Sequence, residues 1–337
     1  MEYRNLGKAG VRVSRACLGT MMFGGPTPEG ESREIIRAAL AAGINFLDTA
    51  DKYNDGESER VVGRAIADCR DRVVLATKVG TPMGPGPNDA GASRKHLRLA
   101  VEASLRRLGT DYIDLYYLHL PDPGTPLEET LAALDDLVTA GKVLYVACSN
   151  FRAWQVAHAL GLQALHHWAP FAAVQPLYNL ANRDVEVELL PMCAALGPGV
   201  VTYSPLARGV LTGKYRAGSE PPPDSRAARG NVRLLQTEYR EANFALAREL
   251  GALAAGAGCT PSQLAIAWVL GNPLVTSVLL GPRTLTQFQD NLAALDVALS
   301  GETEAAVDRL VPPGEHSGRG YQDPGFPVTG RPPAARA

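Results

Sequence analysis

Ile44-Asn45-Phe46-Leu47-Asp48 is a short apolar run that ends on a carboxylate, and the chain repeats this design at Val73-Val74-Leu75-Ala76-Thr77-Lys78 and from Ile113 to His119. Ionisable groups at the ends of buried strands point to an assembled active site. With Tyr53 added, the set comprises an acid, a phenol, an amine and an imidazole, which can move a proton onto or off a carbonyl oxygen. His119, His166 and His167 form no convincing metal-ligand set with the carboxylates, so no metal is expected.

Working outward, eight such runs alternate with longer segments of helical period: Ala16 to Gly19, Asn45 to Asp48, Val73 to Lys78, Tyr112 to His119, Val143 to Ser149, Ala173 to Tyr178, Val200 to Ser204 and Val275 to Gly281. Repeated βα units imply a parallel sheet, and eight of them fit a closed (β/α)8 barrel better than an open sheet. Glu31 to Ala42 stops at Gly43, Ser58 to Cys69 starts on a Ser-Glu-Arg turn, and Leu127 to Ala140 stops at Gly141. In Arg94 to Leu108, Leu97, Val101, Leu105 and Leu108 recur at helical spacing, which makes them core. Arg94, Arg98, Arg106 and Arg107 between them read as a solvated face.

Tyr3 to Gly7 and Val11 to Ser14 flank Lys8-Ala9-Gly10 as a β-hairpin that could plug the barrel floor. Thr81 to Ala92 and Arg216 to Arg233 are rich in Gly and Pro and follow the third and seventh strands. In a barrel these long βα loops would overhang the catalytic face. Residues 1–311 read as a single barrel domain and 312–337 as a Pro/Gly-rich tail.

The 337 residues are 46% hydrophobic, enough for a large core. Lys plus Arg total 33 against 35 for Asp plus Glu, a balance that gives no electrostatic footprint for nucleic acid or an anionic membrane. The charged N-terminus and the lack of an apolar window of ~20 residues predict a cytoplasmic protein. Cys17, Cys69, Cys148, Cys193 and Cys259 are odd in number and far apart, and are expected to be reduced thiols.

Each polar residue also has a structural reading taken alone: Asp48 as a cap, Tyr53 as a rim aromatic, Lys78 as an ion-pair partner, His119 as a core imidazole. Their conjunction favours chemistry. Lys78 is one of only six lysines, and an ammonium at the end of an apolar strand requires a carboxylate nearby, for which Asp48 is placed.

The run Phe46-Leu47-Asp48-Thr49-Ala50-Asp51-Lys52-Tyr53-Asn54-Asp55-Gly56-Glu57-Ser58-Glu59, followed by Thr77-Lys78 and Tyr117-Leu118-His119, resembles the aldo-keto reductases. Cys148-Ser149-Asn150-Phe151, Gln175-Pro176-Leu177-Tyr178-Asn179, Tyr203-Ser204-Pro205-Leu206 and Gly213-Lys214-Tyr215 extend the likeness from about Tyr3 to Leu299. The resemblance implies a barrel that binds NADP(H) without a Rossmann domain, and no GxGxxG follows a predicted strand. It places a catalytic tetrad on Asp48, Tyr53, Lys78 and His119. Tyr53 would be the general acid, its acidity tuned by Lys78 and Asp48, and His119 would orient the carbonyl. A cofactor-first order of binding is implied as well.

For the nucleotide, the resemblance implies contacts from Gly19, Thr20, Met21 and Asp48, and from Ser149, Asn150 and Gln175 at the carboxamide, with Tyr203 stacked on the ring. Ser204, Pro205, Leu206, Gly209, Lys214 and Arg226 match a pyrophosphate loop, and Gly24 and Gly25 would only shape a neighbouring loop. Gly281, Arg283, Thr284, Gln287, Asp290 and Asn291 match the segment that holds the adenosine 2′-phosphate and adenine, with Arg283 as the phosphate clamp. Many members carry lysine and arginine where this chain has Gly281 and Gln287. Glycine and glutamine there resemble the branch of bacterial sugar and aldehyde reductases and the β subunits of voltage-gated potassium channels.

The activity implied is NADPH-dependent reduction of a small-molecule aldehyde or ketone, with a keto-sugar among the candidates. Pocket walls are expected from Met21, Met22 and Phe23, Tyr53, Thr81 to Ala92 and the tail. One rival is a slow-turnover nucleotide-sensing subunit like the channel β proteins, which resemble this chain but for asparagine at the position of His119. A Schiff-base aldolase using Lys78 is another, opposed by the adjacent Asp48.

Overall fold

Side chains alternate between two faces along each strand, and in a closed sheet one face looks into the barrel and the other toward the helices. The computed structural model describes residues 1–318 and 323–326. A two-stranded antiparallel hairpin, β1 (Tyr3–Asn5) and β2 (Arg12–Ser14), precedes the barrel. The barrel strands are β3 (Ala16–Gly19), β4 (Phe46–Asp48), β5 (Val74–Val79), β6 (Ile113–Leu118), β7 (Val143–Ser149), β8 (Phe171–Gln175), β9 (Gly199–Thr202) and β10 (Ser277–Leu280). All neighbours pair in parallel, and β10 closes on β3.

The eight strands predicted from sequence are the eight of the barrel. The sixth is displaced, starting at Phe171 and stopping at Gln175, because Pro176 has no N–H to donate to the ladder. Leu177 beyond it makes only an isolated bridge to Tyr203.

Helices α1 (Glu29–Ala41), α2 (Glu57–Ile66), α3 (Arg94–Leu108), α4 (Leu127–Thr139), α5 (Ala153–His166) and α6 (Leu189–Leu196) each follow one strand. Three more, α7 (Val232–Gln236), α8 (Glu241–Gly256) and α9 (Pro261–Gly271), lie between β9 and β10, and α10 (Leu285–Ala293) and α11 (Gly301–Leu310) follow β10. Local chemistry sets their ends: Ser93 accepts a hydrogen bond from His96 N–H to start α3, and Gly109 ends it in the left-handed region. A capping box of Thr260 and Gln263, with Pro261 between, starts α9. Among the described residues no single helix is long and apolar enough to cross a membrane.

Two apolar layers result. Phe46, Val74, Ala76, Leu115, Tyr117, Ala147 and Val201 fill the barrel interior, while Leu47, Leu75, Val79 and Tyr116 pack outward under the helices. Strand parity then dictates the site. Asp48 shares the inward face with Phe46, Lys78 with Ala76, and His119 continues the side of Leu115 and Tyr117.

The hairpin seals the opposite end, as its spacing predicted. Leu6 and Val13 are fully buried in the interior cluster, worth roughly 1.5–3 kcal/mol each. Gly7, at φ +60°, lies so close to the start of β9 that a Cβ there would stand 2.3 Å from Gly199 N. Lys8 N–H donates to Gly197 O at 3.0 Å across the same seam. Gly7→Ala is expected to lower the free energy of unfolding by about 1–3 kcal/mol in urea titration. An unchanged midpoint would mean the hairpin does not stay docked.

Past α11 the chain runs back along the barrel: Arg183 N–H donates to Glu315 O at 3.0 Å and Ser317 N–H to Ala181 O at 3.0 Å. Of the tail expected over 312–337, residues 319–322 and 327–337 lie outside the described residues. All five cysteines are unpaired.

Two expectations need correction. Phe23 is not a pocket wall: it is 0% exposed and packs under the helices, since Asn54 Nδ2 bonds Met21 O at 3.1 Å and Phe23 O at 2.7 Å and folds that loop inward. Arg107 does not belong to a solvated face. Its side chain is 14% exposed, with Nε 2.5 Å from the fully buried Glu59.

Candidate active site

The carboxyl ends of the strands surround a cleft of about 1180 Å³. Asp48 ends β4 and Lys78 sits near the end of β5, both fully buried and ion-paired. The Lys78 ammonium also donates to Thr49 O at 2.8 Å and to the Tyr53 hydroxyl at 3.3 Å, and Gln175 Nε2 donates to the second Asp48 oxygen at 2.8 Å. Tyr53 opens a tight turn whose next three residues, Asn54, Asp55 and Gly56, all have positive φ. That turn aims the phenol inward. His119, just beyond β6, meets the Tyr53 ring edge-on at a centroid distance of 5.9 Å.

The four residues form one contiguous group. Tyr53, His119 and Asp48 line the cleft, and Lys78 stands behind them without reaching it.

Burial opposes the Lys78 ammonium, but Asp48 and Tyr53 outweigh it and hold its pKa above the ordinary value. A buried amine kept protonated is a poor Schiff-base nucleophile, which removes the structural basis for an aldolase. Burial raises the Asp48 carboxyl against the lowering effect of Lys78. The expected depression of Tyr53 is not found: burial pushes the phenol up, Lys78 offsets part of this and Asp48 adds to it. Tyr53 therefore rests protonated. Burial, with Lys78 adding, drives His119 down to about 3, so its imidazole is neutral, and Nδ1 has no partner among the described residues.

Beyond the tetrad, polar groups interlock. Ser149 Oγ donates to Gln175 O at 2.8 Å, Asn150 Nδ2 donates to His119 O at 2.9 Å, and the Tyr203 hydroxyl donates to Asn150 Oδ1 at 2.8 Å. Asn150 and Ser204 adopt φ of 63° and 55°, a strained backbone of the kind that clusters at functional sites. Every residue matched by sequence to the nucleotide lines the cleft, apart from Thr284, as do Met22, Thr81 and Ala92. Of the loop from Thr81 to Ala92, only these two ends contribute. Asp122, which accepts from Ala92 N–H at 2.7 Å, and His96, within 2.9 Å of Asn88 O, hold the rest away.

At the far end, Lys214, Arg226 and Arg283 converge with no carboxylate partner among the described residues. Burial, then Arg208, lowers Arg226 to about 10, and desolvation followed by Arg283, Arg226 and Arg229 lowers Lys214. Uncompensated cations crowded together define an anion site, and three of them fit the phosphates of a dinucleotide. No group of His, Cys, Asp and Glu among the described residues could hold a metal.

Sequence reasoning missed the wall built by Phe151, Arg152, Trp154 and His158 at the start of α5, and by Arg233 of α7. Phe151 and Arg152 directly follow Ser149-Asn150, which was the available signal.

Fold and site together are those of a closed parallel (β/α)8 barrel with a polar cleft at the carboxyl ends of its strands. The profile of the Aldo/keto reductase family matches residues 15–312, and the chain belongs to that family. It is 40% identical to a probable voltage-gated potassium channel subunit beta of Arabidopsis thaliana, over 88% of this chain and 92% of that one. It is 38% identical to an uncharacterized oxidoreductase of Bacillus subtilis (strain 168), over 95% and 99%. It is also 38% identical to L-glyceraldehyde 3-phosphate reductase of Escherichia coli (strain K12), over 94% of each.

Proposed function

We propose that this protein reduces an aldehyde or ketone with NADPH, and that Tyr53 is the general acid. The observation that carries this reading is the Tyr53 hydroxyl, 3.3 Å from a buried ammonium and open to the cleft. Ser149, Asn150, Gln175 and Tyr203 would hold a reduced nicotinamide, which would supply the hydride. Tyr53 would give its proton to the carbonyl oxygen, and Lys78, kept charged by Asp48, would stabilise the phenolate left behind. His119, neutral throughout the working range, would hold the carbonyl oxygen by a hydrogen bond.

Arg283, in the segment matched to the adenosine 2′-phosphate and with no carboxylate partner among the described residues, supports NADP(H) over NAD(H), because its guanidinium can clamp that phosphate in two places. A keto-sugar and a phosphorylated short aldehyde stand among the candidate substrates. We read residues 1–311 as the catalytic domain.

The relatives named as channel β subunits favour a second reading, a regulatory subunit that senses the nucleotide and turns over slowly. Stopped-flow mixing of NADPH-loaded protein with reactive aldehydes, ketones and keto-sugars separates the two. With excess NADPH multiple turnovers are expected, and bound NADPH left unoxidised by every carbonyl would favour the sensor.

A further inference from the structure

Between β5, β6 and the helices that cover them, one ionisable group is left over. Glu59 of α2 is fully buried, accepts from Thr77 Oγ1 at 2.6 Å and pairs with Arg107 of α3. Lys78 of β5 is matched by Asp48. Lys52 is turned to solvent on Asp55. Asp51 is 1% exposed, and neither of its oxygens meets a side-chain partner among the described residues. The hydroxyl of Tyr116, on the outward face of β6, is also buried without one.

The groups facing Asp51 are thus Glu59, Arg107, Lys78 and Tyr116. Two cations already balance two carboxylates there, so an ionised Asp51 would bring one uncompensated negative charge into a dry space. A neutral acid avoids that.

Asp51 is also wired to the proposed proton donor. Its N–H donates to Lys78 O at 3.2 Å, and it precedes Tyr53 by two residues. Arg107 braces the same turn from behind: Gly56, at φ +87°, lets it approach so closely that a Cβ there would be 2.6 Å from Arg107 Cδ.

We propose that Asp51 is a positioning residue held neutral in this dry space, and that its ionisation weakens Tyr53 as a proton donor by opposing the charge of Lys78. The idea rests on the reading of Tyr53 as the acid. Burial, with Glu59 adding, places the Asp51 carboxyl at about 7, so the switch falls near neutrality. In the reducing direction the rate should fall as pH rises through that value. The same proton affects stability. The folded chain holds it between about 3.9, the value in an unfolded chain, and about 7, so folding free energy declines as pH rises through that window.

The test is Asp51→Asn in the full-length protein. With saturating NADPH, kcat of the wild type is expected to drop roughly 3- to 10-fold across pH 7, and the variant to keep the low-pH rate with no inflection there. Glu59→Gln, which frees Arg107 to pair with Asp51, should move the inflection to lower pH. Two readouts need no activity: the infrared band of a protonated carboxyl in wild type at about pH 6, lost in Asp51→Asn, and a Tm advantage of the variant that grows from pH 5 to pH 8. An inflection and a carboxyl band that both survive in Asp51→Asn would overturn the proposal. If Asp51→Asn did not fold, absence of the band from wild type would do the same. Failure of the Tyr53 reading would appear separately, as activity in Tyr53→Phe with the infrared and thermal results unchanged.

Discussion

Tyr53→Phe is expected to lower kcat for carbonyl reduction by about 10²- to 10⁴-fold, the usual contribution of a positioned general acid. The phenol rests protonated and is the hydroxyl held by Lys78, so removing it deletes the proton source while leaving the ring edge-on to His119. Nucleotide affinity, measured by quenching of protein fluorescence, should change little because Tyr203 and the cationic end of the cleft are untouched. Stability should also hold, since the lost bond is a long one at 3.3 Å. A variant that turns over at the wild-type rate would remove Tyr53 from the chemistry and leave His119 as the remaining candidate donor.

Lys78→Met should act on both folding and catalysis. It leaves Asp48 fully buried with Gln175 as its one side-chain partner among the described residues, and breaking such a pair typically costs about 3–5 kcal/mol. The penalty should deepen as pH rises. Burial without Lys78 raises the Asp48 carboxyl further, so the unfolded chain, which releases that proton more readily, gains ground above about pH 4. Lys78→Met combined with Asp48→Leu removes both charges and is expected to recover most of the urea stability while remaining inactive against aldehydes. Recovery of stability and activity together would show that the pair serves folding alone. A single variant as stable as wild type at all pH values would show that Asp48 is less enclosed than it stands here.

The barrel was legible in sequence because its signal is periodic and local. Apolar runs at the spacing of βα units gave eight strands, and parity along β4, β5 and β6 put Asp48, Lys78 and His119 on the same side. What sequence could not supply was long-range. Arg107 looks like its solvated neighbour Arg106 until α2 and α3 pack and Glu59 arrives beside it. Phe23 follows Met21 and Met22 as an equally plausible wall until Asn54 turns the loop. The sequence predicts that Lys78 depresses the Tyr53 phenol, and burial reverses that direction because the depth of the phenol in the fold is not visible in sequence. Trp154 reaches the cleft through docking of α5, a contact with no local signature, whereas Phe326 lines it from the tail, as expected.

The seam between β10 and β3 joins residues near the two extremities of the sequence: Val278 pairs with Ala16, and Leu280 with Leu18. A ribosome releases the first partner long before the second, and the hairpin must likewise wait for Gly197 and Gly199. Nascent chain therefore accumulates with open edges on its early strands, a template for mispairing until synthesis is almost finished. Truncation before Leu280 is expected to abolish folding, since the ring cannot shut in instalments.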